Sequence, residues 1–83
     1  MKVLSKQLLK GSIEKMENKK IMQEIWKEAL DLEELPGTDE SFFDLGGNSF
    51  VANKVFLMYE EKTGEKIEIA DLFEKDTIDM LLD

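Results

Sequence analysis

The chain has 83 residues, which is enough for one small domain and leaves no room for a second one. It contains no cysteine and no histidine, which excludes disulfide bonds, thiolate metal sites, a cysteine nucleophile and the most common general base. A net charge of −8 disfavours a nucleic-acid ligand, and a hydrophobic content of 42% is typical of a folded protein, so protein partners are expected instead.

The first 20 residues form a basic segment ahead of an acidic remainder. They carry six lysines against two glutamates, a charge of +4, whereas residues 21–83 carry five lysines against 17 acidic residues, a charge of −12. Apolar residues recur there at helical spacing, but Gly11 and Ser12 interrupt them. We therefore expect residues 1–19 to be a basic arm, either a broken helix or a mobile linker, ahead of a domain at 20–83.

No part of the sequence has the pattern of a secretory signal or a membrane-spanning segment. Lysines interrupt the apolar residues near the N-terminus, and the longest uninterrupted apolar run, residues 55–59, is too short to cross a bilayer. We expect a soluble cytoplasmic protein that does not bind membranes.

Residues 21–30 are predicted to form an amphipathic helix. Their apolar side chains, Trp26 among them, occupy one half of a helical wheel, opposite the polar side chains. Turn residues follow at Leu35-Pro36-Gly37, and no periodic pattern returns before Ser41. The pattern predicts a long ordered loop after this helix, and loops of this length in small domains are often functional.

A short helical turn is predicted within that loop. Ser41 and Asp44 stand three residues apart, as in a capping box, with two phenylalanines between them. We expect this turn to place Phe42, Phe43 or both in the core, with Trp26 buried against it.

Residues 49–63 are predicted to form the second main helix, which ends before Gly64. The predicted core positions of this helix are Val51, Ala52, Val55, Met58 and Tyr59. Phe50 and Leu57 lie outside that apolar face, beside a polar stripe. Either the loop or the arm covers these two side chains, or they bind a partner.

Two further elements complete the predicted fold. Residues 71–74 fit one helical turn after a short extended stretch at 67–69, and Asp76 or Thr77 can cap a last helix. Together the elements predict an all-α fold, a small four-helix bundle of three main helices and one short helix, with a long loop between the first two.

Ser49 is the strongest candidate for chemistry. Gly46 and Gly47 precede it closely and remove side chains that would crowd it, and the start of a helix favours a phosphate group. Because no histidine can activate the hydroxyl, a separate enzyme would have to modify it. A plain capping role for Asn48 or Ser49 would by itself also explain this tetrapeptide. The acidic residues elsewhere are spread over exposed faces and predict no metal site.

The segment FFDLGGNSF, residues 42–50, resembles the core motif of peptidyl carrier proteins, the thiolation domains of nonribosomal peptide synthetases. Asp39, residues 69–74 and residues 77–78 also resemble the family pattern, so the similarity covers about residues 20–82. The resemblance implies an acyl-carrier-protein-like bundle. It also implies that Ser49, supported by its neighbouring glycines and asparagine, receives 4′-phosphopantetheine from coenzyme A.

The same resemblance implies a carrier that is not itself an enzyme. Its terminal thiol would hold an aminoacyl or peptidyl thioester, and its partners would be a Mg²⁺-dependent phosphopantetheinyl transferase and adenylation, condensation or thioesterase domains. We expect a monomer whose partners recognise a strip made of Phe50, Asn53, Lys54 and Leu57. Asn48 and Asn53 depart from the residues common in the family at these positions.

Two other hypotheses compete with a peptidyl carrier. An acyl carrier of polyketide or fatty-acid synthesis would share the bundle, but that class typically has Asp-Ser-Leu at its modification site. A helical adaptor without a cofactor would have no need for the segment Gly46-Gly47-Asn48-Ser49. That segment favours the peptide-synthetase branch.

Overall fold

The computed structural model describes the backbone of residues 2–82 and the side chains of residues 15–82. The helices are α1 (Lys2–Ala29), α2 (Ser49–Thr63), α3 (Ile69–Leu72) and α4 (Ile78–Leu82), and the described residues contain no strand. The predicted all-α bundle of four helices is confirmed. Because α3 and α4 have only four and five residues, the described chain has two long and two short helices rather than three and one.

The backbone of α1 runs without a break past Gly11 and Ser12, so a broken helix is wrong for these residues, whereas the assignment of residues 1–19 as a basic arm or linker stays a prediction. One glycine inside a helix costs only about 1 kcal/mol relative to alanine, and good helix formers surround this one. The helix also crosses residues 19 and 20, and a domain boundary there stays a prediction. No helix of the described residues is long and apolar enough to cross a membrane.

The core is built from all four helices and one loop residue. Its buried hydrophobic side chains are Met22, Ile25, Trp26, Phe42, Ala52, Val55, Phe56, Tyr59, Leu72 and Ile78. Trp26 and Phe42 meet edge to face, with ring centroids 5.0 Å apart, as expected for a tryptophan buried against the loop turn. Phe43 is 37% exposed, so of the two loop phenylalanines only Phe42 lies in the core.

Hydrogen bonds from α1 and from α4 hold the long loop between α1 and α2 in place. The Gln23 side chain of α1 donates a hydrogen bond to the carbonyl of Pro36 at 2.7 Å. The backbone N–H of Asp79 in α4 donates to the carbonyl of Thr38 at 2.9 Å. These contacts satisfy loop carbonyls that face the protein, which gives the loop a defined path to the start of α2.

The helix ends follow the local sequence signals. Gly64 adopts a left-handed conformation, with φ 78°, and its N–H donates to the carbonyl of Glu60. Thr77, one of the two predicted caps of α4, accepts the N–H of Met80 at 3.1 Å. Helix α3 begins at Ile69, two residues before the turn predicted at 71–74, and that turn continues from it, with the Glu74 N–H donating to the Asp71 carbonyl at 3.1 Å.

Candidate functional site

Ser49 is the first residue of α2, and its side chain is exposed. Among the described residues its hydroxyl has no hydrogen-bond partner. Asn48 precedes it in an extended conformation, and the Asn48 side-chain oxygen accepts the backbone N–H of Val51 at 2.9 Å. Asn48 is therefore the N-cap of the helix, and the Ser49 hydroxyl is not used in holding the fold.

A turn that requires glycine at two positions leads into this helix. Gly46 has φ 98°, a left-handed conformation that other residues rarely adopt. Gly47 lies against the Phe42 ring so closely that a Cβ on Gly47 would be 2.3 Å from Phe42 Cε2. The Gly47 N–H also donates to the Phe42 carbonyl at 2.9 Å. The two glycines thus let the chain pass over the Phe42 ring and bring Ser49 to the surface.

The start of α2 fits a phosphate ester on Ser49. The first intrahelical hydrogen bond runs from the Ala52 N–H to the Asn48 carbonyl, so the N–H groups of Ser49 and Phe50 lie ahead of it at the positive end of the helix dipole. The residue that carries the hydroxyl is exposed to solvent. The donor groups present suit an anionic group attached at this oxygen.

A strip with two exposed apolar side chains continues from Ser49 along the outer face of α2. Phe50 is 84% exposed and Leu57 is 60% exposed, while Asn53 and Lys54 between them are also exposed. We call these four residues the α2 strip. Neither the loop nor any other described part of the chain covers it, which leaves the two apolar side chains in solvent.

A second exposed apolar feature was not predicted. The rings of Phe43 in the loop and Phe73 after α3 are stacked, with centroids 5.9 Å apart and an interplanar angle of 20°. Phe73 is 63% exposed. The sequence offered little signal for this pair, because the two phenylalanines lie 30 positions apart and only the packing of the loop beside α3 brings them together.

Ser41 makes the predicted turn contact and an additional one. Its hydroxyl oxygen accepts the N–H of Asp44 at 3.4 Å, as the capping-box pattern predicts. The same hydroxyl donates to the carboxylate of Asp76 at 2.5 Å, and the Asp76 carbonyl accepts the N–H of Phe42 at 2.8 Å. Asp76, considered from the sequence only as a cap of α4, therefore ties the segment before α4 to the turn before α2.

Comparison with known proteins places this arrangement in a family. The chain matches the family model described as "Phosphopantetheine attachment site" over residues 20–83. It is 44% identical over 57 residues to Peramine synthetase A of Epichloe festucae, covering 68% of this chain and 2% of that protein. It is 39% identical over 61 residues to Nonribosomal peptide synthetase dtxS1 of Metarhizium robertsii, covering 72% of this chain and 1% of that protein.

A bacterial protein also matches this chain over a small part of its own length. The chain is 42% identical over 61 residues to one of the plipastatin synthase proteins of Bacillus subtilis, covering 74% of this chain and 2% of that protein. The chain thus spans only 1 to 2% of the length of these curated relatives. The similarity concerns one small segment of each large synthetase.

Proposed function

The chain belongs to the phosphopantetheine attachment family, and from this membership we propose that it is a peptidyl carrier with 4′-phosphopantetheine attached covalently to Ser49. The carrier holds an aminoacyl or peptidyl group in nonribosomal peptide biosynthesis. The observation that carries the assignment of the site is the exposed Ser49 hydroxyl, free of hydrogen bonds to the described residues, at the start of α2. When attached, the cofactor supplies the thiol that forms the thioester.

The residues around Ser49 position its hydroxyl but do not activate it. Asn48 caps the helix, and Gly46 and Gly47 shape the turn that exposes the serine. The chain has no histidine or cysteine, and among the described residues no basic side chain is hydrogen-bonded to Ser49. Removal of the hydroxyl proton and alignment of coenzyme A therefore fall to a separate phosphopantetheinyl transferase.

In this function the protein delivers a bound group and is not itself an enzyme. A cofactor tethered at the rigid start of a helix replaces diffusional encounters by a high effective concentration of the thioester at each partner site. Adenylation, condensation or thioesterase domains are the proposed partners, because the relatives that match this chain are named as synthetases. We propose the α2 strip as the surface that these domains contact. We also propose that the protein is a monomer and that it acts in the cytoplasm.

We assign the carrier domain to residues 20–83 and treat residues 1–19 as a basic arm that modification does not require. The family match begins at residue 20, and among the described side chains of α1, from residue 15 onward, the first one buried in the core is Met22. Lys19 lies at the boundary and pairs with Asp79 at 3.0 Å. A variant that lacks residues 1–18 should keep the melting temperature of the full chain and its rate of modification. A large loss of either would place the arm inside the domain.

Intact-mass spectrometry tests the attachment site. The full chain is incubated with coenzyme A, Mg²⁺ and a phosphopantetheinyl transferase of broad specificity, and we expect one phosphopantetheine mass to be added. Ser49→Ala should gain none, while Ser12→Ala, a matched change in the basic arm, should be modified like the parent. Modification of Ser49→Ala would overturn the site, and an unmodified parent chain would overturn the function.

A further inference from the structure

Asp76 links the segment before α4 to the loop before α2 with two hydrogen bonds. Its carboxylate accepts the partly buried hydroxyl of Ser41 at 2.5 Å, across a separation of 35 residues. Its backbone carbonyl accepts the N–H of Phe42 at 2.8 Å. A tertiary contact, and not only local turn propensity, therefore fixes where Ser41 and Phe42 lie.

Phe42 in turn fixes the position of Gly47 through its ring and its carbonyl. The Phe42 ring is buried and leaves no room for a Cβ on Gly47, and the Phe42 carbonyl accepts the Gly47 N–H at 2.9 Å. Ring and carbonyl together hold Gly47 from two sides. Gly47 stands two residues before Ser49, so a displacement of Phe42 shifts the entry into α2 and the serine with it.

We propose that Asp76 is a positioning residue for the modification of Ser49, acting through Ser41, Phe42 and Gly47. The inference rests on the proposed attachment at Ser49. Asp76 forms no hydrogen bond with Ser49, so we give it no direct part in the chemistry. Its effect arises because the transferase must align the phosphate donor with the Ser49 oxygen, and a misplacement of about 1 Å can slow a reaction by as much as ~100-fold.

The alternative is that Asp76 contributes only to stability. Three contacts do not involve the Asp76 side chain: the bond from the Phe42 N–H to the Asp76 backbone carbonyl, the bond from the Asp79 N–H to the Thr38 carbonyl, and the buried contact between Trp26 and Phe42. Because all three remain in Asp76→Ala, this variant should stay folded while the turn loses the side-chain hydrogen bond that restrains Ser41. Asp76→Asn keeps an oxygen that can accept the Ser41 hydroxyl, so it should restore the position of the turn.

The test measures transferase kinetics on the full chain well below the melting temperature of every variant. We expect Asp76→Ala to lower kcat about tenfold, with less change in KM because the α2 strip is untouched. Asp76→Asn should react close to the parent's rate. Ser41→Ala should be at least as slow as Asp76→Ala, because it also removes the bond from the Asp44 N–H, and the double variant should be no slower than Ser41→Ala, because the bond between Ser41 and Asp76 is lost only once.

A matched control and a second readout distinguish positioning from stability. Thr63→Ala removes a side-chain bond at the opposite end of α2, where the Thr63 hydroxyl donates to the Tyr59 carbonyl at 2.8 Å. This control should lose stability without losing kcat. Hydrogen exchange of the Gly47 amide should be faster in Asp76→Ala than in Thr63→Ala, because only the first change loosens the Phe42 carbonyl that holds it.

Each outcome decides for or against the positioning role. An unchanged kcat in Asp76→Ala, or a loss that Asp76→Asn does not restore, would overturn it. Slow kcat in Asp76→Ala with fast Gly47 exchange and rescue by asparagine would support it. Failure of the proposed function would be seen differently, as a parent chain that is not modified or a Ser49→Ala variant that is.

Discussion

The side-chain oxygen of Asn48 accepts the backbone N–H of Val51 at 2.9 Å, so Asn48 and not Ser49 caps α2. The sequence left this role open between the two residues. Asparagine is among the best N-cap residues, so Asn48 before the serine gives α2 a well-capped start. Ser49 is thereby free to carry a substituent without a loss of capping.

The division of roles predicts different stabilities for two alanine variants. Asn48→Ala should lower the free energy of unfolding by about 1 kcal/mol, because the Val51 N–H loses its partner. Ser49→Ala should change it by less than about 0.5 kcal/mol, because the exposed hydroxyl holds nothing in place. Urea denaturation followed by Trp26 fluorescence measures both. A larger loss in Ser49→Ala than in Asn48→Ala would contradict the assignment of the cap.

The two loop phenylalanines should differ in the same kind of experiment. Phe42 is buried against Trp26, so Phe42→Ala should cost about 3–5 kcal/mol and unfold much of the protein. Phe43 is 37% exposed and stacks on Phe73, so Phe43→Ala should cost only about 0.5–1.5 kcal/mol. Thermal melting by circular dichroism compares them. Equal melting temperatures would mean that the loop packs differently from this structure.

Because of Tyr59, the free energy of unfolding should depend on pH in the alkaline range. Burial and the nearby Glu65 carboxylate raise the pKa of the Tyr59 phenol to about 12 from its usual 10.0. Since the folded pKa is the higher one, the stability that the neutral phenol contributes is present below pH 10 and is lost as pH rises from 10 to 12. The chain has a single tyrosine, so the phenolate absorbance reports Tyr59 alone.

A variant separates the two causes of this shift. Glu65→Gln removes the carboxylate but leaves the burial, so the phenol should titrate at a lower pH than in the parent and still above 10.0. Glu61→Gln, an exposed change one turn earlier, serves as the control. Ionisation of the parent near pH 10 without loss of helical signal would show that the phenol is not buried.

Local signals in the sequence predicted the parts of the fold that local chemistry controls. Ser49 and Gly64 mark the two ends of α2 at the positions observed, and the Ser41 turn does place Phe42 in the core. Long-range packing decided the rest. No local pattern connects Asp76 to Ser41, and Phe56 is buried although it lies outside the predicted apolar face.

The burial of Phe56 and the early start of α3 at Ile69 have one physical cause. Phe56 lines a groove together with Ile69 and Ala70, at the place where α3 lies against α2. A helix of four residues has little intrinsic stability, so its position follows the neighbour it covers and not its own sequence. The same neighbour removes Phe56 from solvent, and neither effect could be predicted from either segment alone.

The α2 strip predicts which surface variants impair delivery. Phe50 is 84% exposed, so Phe50→Ala should leave the melting temperature unchanged. On the proposed contact surface the same change should slow loading of the modified protein by a cognate adenylation domain about tenfold, because it removes apolar area next to the cofactor. Lys54→Glu should have a smaller effect, since charges at the rim of an interface usually contribute less than a buried aromatic ring.

Lys62→Glu provides the matched control for charge, because it makes the same substitution at an exposed position near the far end of α2. It should load like the parent, whereas Lys54→Glu should load more slowly at low salt and approach the parent's rate as salt screens the interaction. If Phe50→Ala also loads at the parent's rate, the partner must bind elsewhere. The stacked pair of Phe43 and Phe73 is then the next surface to change, because it is the other exposed aromatic feature of the described chain.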